Sequence, residues 1–83
     1  MRHYSTDDNM HTRGATLHGT GTATECLQAC LEADKKQQCT AFDYDVMTSQ
    51  CWLHDAKSAC GELHKLAFTR HFRLSSCDMG KLI

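Results

Sequence analysis

Apolar positions along the chain follow two different periods, and the change of period marks out the elements. Ala23, Cys26, Leu27 and Cys30 recur at steps of three and four, the spacing of one face of a helix. Ahead of them Thr22-Ala23-Thr24-Glu25 has the Ser/Thr-x-x-Glu form of a capping box. In that box a threonine oxygen takes an orphan amide, and Glu25 sits against the positive end of the helix dipole. The pattern predicts a helix from about Thr22 that ends near Lys35-Lys36, where positive charge suits its C-terminus.

After the helix the period shortens to two. Cys39 to Asp45 alternates and carries Phe42 and Tyr44, which predicts a strand. Met47 to Gln50 is the expected turn, and Cys51 to His54 the returning strand of a hairpin. Phe68 to Leu74 alternates again, with Phe68, Phe72 and Leu74 on one face around Arg70, and Thr69, His71 and Arg73 on the other. Ala15 to His18 predicts a short strand broken by Gly19-Thr20-Gly21. Residues 1–14 read as polar, with a turn at Asp7-Asp8-Asn9; 55–62 read as a loop, and 78–83 as a tail. The sum is an α+β domain, one helix on a small, mostly antiparallel sheet.

The orientation of the aromatics stays open at this level. If Cys39 and Cys51 point at the helix, strict alternation turns Phe42, Tyr44 and Trp52 the other way, and a bulge would change that parity.

Length and cysteine content change this picture most. Eighty-three residues make one domain, 1–83, with a core too small to be more than marginally stable alone. Six cysteines, Cys26, Cys30, Cys39, Cys51, Cys60 and Cys77, are an even set at a density that reads as a disulfide framework in an oxidising compartment. Spacing alone does not choose among their pairings. Zinc modules bring ligands in tight pairs such as Cys-x-x-Cys, and none occurs here, so no metal is expected. With all six paired, no thiolate nucleophile remains.

The net charge of -1 gives no reason to expect a nucleic-acid partner, and no apolar run reaches the ~20 residues of a membrane-spanning helix. Met1-Arg2-His3-Tyr4-Ser5 lacks the apolar core of a signal peptide, so a secreted form would correspond to a mature chain or a fragment. The only asparagine, Asn9, is not in an Asn-x-Ser/Thr acceptor. Bases gather toward the C-terminal half, which makes Lys65, Arg70, His71 and Arg73 the candidate contacts for sulfate or carboxylate oxygens. Trp52 and Tyr44 are candidate platforms for a sugar ring, against the plainer expectation that aromatics fill the core. His54, His64 and His71 lie near bases and are candidates for pH-sensitive binding of an anion, although surface histidines with no shared role are the plainer expectation. Asp43 and Asp45, or Asp7, Asp8 and Asn9, offer oxygens to calcium, but no loop has EF-hand spacing, and solvated carboxylates are expected. There is no Gly-x-Ser-x-Gly turn and no phosphate-cradling glycine loop, so no enzyme, catalytic residue or cofactor is expected.

Three segments carry a resemblance to a known family. Glu25-Cys26-Leu27-Gln28-Ala29-Cys30, Cys39-Thr40-Ala41-Phe42-Asp43-Tyr44 and Cys51-Trp52-Leu53-His54 resemble the PAN/apple domains, whose helix carries Cys-x-x-x-Cys and whose strands carry Cys-x-Ala-Phe-x-Tyr and Cys-x-Leu. The similar region runs over about residues 15–77. The resemblance implies bridges Cys26–Cys51 and Cys30–Cys39, which leaves Cys60 to Cys77. The chain departs from full apple domains in having no cysteine before Cys26 to tie the termini together, and so looks more like the PAN branch. It also implies a secreted binding module that recognises an extracellular protein, or alternatively a glycan as a lectin-like or glycosaminoglycan-binding domain. A toxin-like secreted effector is the second alternative.

Overall fold

In the computed structural model, which describes residues 5–34 and 39–74, the hydrophobic alternation becomes a five-stranded antiparallel sheet with a helix on one face. The strands are β1 Ser5–His11, β2 Thr16–Thr20, β3 Ala41–Asp45, β4 Gln50–His54 and β5 His64–Arg73, in the order β1-β5-β3-β4-β2. The main helix α1 spans Ala23–Asp34, and a single turn, α2, spans Ala56–Ala59. The expected end at Lys35-Lys36 and the tail from 78 lie outside the described residues.

The start of α1 is the capping box in full. The Thr22 N–H donates to Glu25 Oε1 at 2.7 Å, and the Glu25 N–H donates back to Thr22 Oγ1 at 3.1 Å. One turn apart on the buried face, Cys26 and Cys30 form bridges to Cys51 and Cys39. Cys60 is also disulfide-bonded; its expected partner Cys77 lies outside the described residues. Phe42, Tyr44 and Leu74 complete the core with these cysteines, and the Phe42 and Phe72 rings stack at 4.6 Å.

Two sequence expectations are corrected here, and the open question of the aromatics' direction is decided. Asp7-Asp8-Asn9 is not a turn: it runs through edge strand β1, with a bulge at Asn9, whose φ is 58°. Asparagine tolerates this left-handed conformation, which is why a turn-like triplet can sit within a strand. Part of the expected loop at 55–62 is helical, because Asp55 caps α2 by accepting from the Ser58 N–H. Finally, Cys39 precedes the paired part of β3, so its direction does not set the strand's parity. Phe42 and Tyr44 therefore face α1 together with Cys51, and of the three aromatics only Trp52 points away.

Candidate functional site

That parity gives the sheet a second, polar face. Cross-strand register places Asp43 beside Trp52 of β4 and His71 of β5, and Ala41 beside His54 and Arg73. Asp45, Gln50 and Thr69 continue the same rows. This face is covered from above by α2 and by the connection between β1 and β2. Gly14 in that connection has a φ of 97°, and a Cβ built there would stand 3.0 Å from the Ser58 Cβ. Only glycine permits both the left-handed turn and that approach.

Beneath this cover lies a network of three strand residues. Asp43 is almost fully buried, and His54 and His71 are completely so. The Asp43 Oδ2 meets His54 Nε2 at 2.5 Å and its Oδ1 meets His71 Nδ1 at 2.6 Å. Thr12 Oγ1 lies 3.1 Å from His54 Nε2, and Ser58 Oγ 2.9 Å from His54 Nδ1. Burial pushes the Asp43 carboxyl up, but the hydrogen bonds and attraction of His54 and His71 outweigh it and hold its pKa below the ordinary value. The Nε2 of His71 is buried with no hydrogen-bond partner among the described residues.

The network forms part of the floor of a cavity of about 380 Å³, to which Asp43 and Thr12 both contribute. Trp52, Gln50 and Asp45 come from the hairpin, Thr69 and Leu66 from β5, and His11, Arg13 and Ala15 from the segment above. This volume falls in the range of small-ligand sites. Trp52 is half-buried and lines the cavity.

The sequence-derived contact residues do not converge. Lys65 is exposed at the far end of β5, opposite Met10. Arg70 is exposed, and its Nε pairs with Asp8 Oδ1 at 3.2 Å. His71 is buried against Asp43, so it is no surface anion ligand. Arg73 lies on the face opposite Arg70, with its Nε buried. A strand alternates its side chains, so neighbouring bases on β5 cannot form one patch unless the chain is bulged between them. The only such irregularity falls at Phe68, before Arg70. Tyr44 belongs to the core and donates its hydroxyl to the Gly21 carbonyl at 2.8 Å, so it is not a sugar platform. Trp52 alone of the proposed ligand residues reaches the cavity. Sequence reasoning took His54 for a surface histidine and Asp43 for a solvated carboxylate, and left Thr12 unremarked. Alternation within each strand carried part of the signal, because Asp43, His54 and His71 each fall on the face away from Phe42, Cys51 and Phe72.

The PAN domain family model matches residues 2–77. The chain belongs to the PAN domain family. No curated protein and no solved structure matches it. PAN domains are protein- or carbohydrate-binding modules, generally non-catalytic and typical of extracellular proteins. The described part of this PAN domain contains no helix long and apolar enough to cross a membrane.

Proposed function

We propose that this PAN domain is a secreted, non-catalytic recognition module that binds a neutral carbohydrate in the cavity on the polar face of its sheet. The observation that carries this reading is the placement of Trp52 in the cavity wall, beside Arg13, Asp45, Gln50 and Thr69. A sugar ring offers an apolar C–H face to an aromatic and hydroxyls to polar side chains around it. The dispersal of Lys65, Arg70, His71 and Arg73 speaks against a sulfated glycan, which would need several cations on one surface.

The test is a glycan array containing neutral and sulfated sugars, probed with oxidised protein at low and physiological salt. Trp52 is the only tryptophan, so its fluorescence reports the cavity directly. Salt-insensitive binding to neutral sugars, with quenched Trp52 emission and loss in Trp52→Ala, is the expected result. Binding confined to sulfated glycans and weakened by salt would contradict the neutral-sugar assignment. Silence across the array would remove the glycan reading.

A second reading, recognition of a protein partner, has its own support at one end of the sheet. There Val46, Met47 and Phe68 are all exposed, Met47 at 69 % and Phe68 at 56 %. Phe68 is fixed by its N–H to Asn9 Oδ1 at 3.1 Å and its carbonyl to the Val46 N–H at 2.8 Å. An exposed aromatic beside other exposed apolar side chains is a favourable contact for a protein surface.

A further inference from the structure

We propose that Asp43, His54 and His71 form a binding site for a divalent transition-metal ion of the zinc type. The proposal does not depend on which ligand the cavity takes, since it rests on the buried network and not on Trp52.

Two imidazoles and one carboxylate come here from three adjacent strands, and one ligand atom from each lies within 4.8 Å of the others. Three protein ligands of the nitrogen and oxygen type, with a further position left for water or a fourth group, are the pattern of an open zinc site. The donor set argues against calcium and magnesium, which take oxygen ligands in larger number. The surroundings have the features of a second shell. Ser58 Oγ holds His54 Nδ1 at 2.9 Å, which points Nε2 inward toward Asp43. Thr12 Oγ1, at 3.1 Å from that Nε2, stands ready as a neutral oxygen. Since Thr12 and Asp43 also line the cavity, an ion has a route in from solvent.

Asp43 stands at hydrogen-bond distance from both imidazoles. At 2.5 and 2.6 Å each imidazole nitrogen and carboxylate oxygen are joined by a hydrogen bond. Ligand atoms around a tetrahedral zinc with bonds of about 2.0–2.1 Å stand roughly 3.3 Å apart. An ion would thus take the place of the hydrogen-bonding protons and widen each contact by about 0.7 Å. The His71 ring can give way, because its outer nitrogen is tied to no hydrogen-bond partner among the described residues.

A competing histidine pair exists on the surface. His11 and His64 face each other across β1 and β5 with ring centroids 6.1 Å apart, but no carboxylate joins them among the described residues. The experiment must separate the two.

Tag-free, oxidised, chelator-treated protein is titrated with Zn²⁺ by calorimetry and with Co²⁺ by visible absorption. One zinc ion per chain, a higher melting temperature with zinc, and intense Co²⁺ bands of a four- or five-coordinate site are expected. His54→Gln and His71→Gln should abolish these signals. Ser58→Ala should weaken zinc binding by about 10–100-fold. His64→Ala, which breaks the surface pair, should leave it unchanged. The proposal is overturned if the unmodified protein shows neither saturable zinc binding nor Co²⁺ bands. It is equally overturned if the signal follows His11 and His64 instead. Should the two glutamine variants fail to fold, ¹⁵N shifts of the His54 and His71 ring nitrogens decide: shifts to metal-bound values at both support the site, and unchanged shifts reject it.

Discussion

At the scale of single residues, the position that matters most is Asp43, which spends both carboxylate oxygens on buried imidazoles. Asp43→Asn keeps the shape but supplies one acceptor and one donor where two acceptors are needed. One imidazole N–H is then left unsatisfied in the interior, at a cost of about 1–3 kcal/mol, measurable as a lower denaturant midpoint. The same group sets an acid limit. Its folded pKa lies below the ordinary 3.8, so its stabilisation is complete above that value and is lost as the pH falls through the folded pKa. Denaturant melts taken from pH 5 down to pH 2 should show a loss of stability below about pH 4. Asp43→Asn should show a smaller loss over that interval; an equal loss would assign the acid transition to other carboxylates. Gly14 is the complementary case. Its φ of 97° and the 3.0 Å approach to Ser58 mean that Gly14→Ala should destabilise by more than about 1 kcal/mol. Because Gly14 also lines the cavity, that variant should weaken ligand as well as fold.

Among elements, those with a strong local signal were legible and those defined by their partners were not. The capping box and three-four spacing located α1, and alternation located β3, β4 and the paired end of β5. β1 was missed because it is an edge strand of polar residues, Ser5 to His11, whose only reason to be extended is the pairing with β5, 53–68 positions away by register from Ser5↔Arg73 to His11↔His64. The exposure of Phe68 escaped for a related reason. Alternation assigned it to the Phe72 face, but a φ of 64° breaks the parity there and turns the ring to solvent. A left-handed conformation costs an aromatic residue roughly 1–2 kcal/mol, which the Asn9 and Val46 contacts offset. Phe68→Gly relieves that strain and gives up little buried surface. The variant should therefore melt no lower than the parent, and up to about 1 kcal/mol higher in stability. A clear destabilisation would mean that the ring packs where the fold leaves it exposed.

For the whole molecule, the covalent frame carries the argument. The family resemblance implied Cys26–Cys51 and Cys30–Cys39, and both bridges tie α1 to the sheet. Cysteine spacing alone could not have chosen them, because pairing depends on which strands lie under the helix. The polar site was legible only in part for the same reason: Asp43, His54 and His71 have the right parity, but nothing local says that α2 and the Thr12 segment will close over them. In chain-entropy terms the Cys26–Cys51 bridge, closing 25 residues, contributes about 3.5 kcal/mol, and Cys30–Cys39, closing 9, about 2.6 kcal/mol. Together they rival the roughly 5–15 kcal/mol that a domain has in total. The apolar core is too thin to replace them, since four of the seven buried members of its cluster, Cys26, Cys30, Cys39 and Cys51, are themselves bridge cysteines. Reduction should consequently abolish the cooperative melt seen by circular dichroism. Removing bridges singly should grade the effect, with Cys26→Ala/Cys51→Ala costing more than Cys30→Ala/Cys39→Ala. If the reduced protein instead melted cooperatively at an unchanged temperature, stability would have to be assigned to the sheet and its buried polar network, and the bridges would be reduced to a register device for α1.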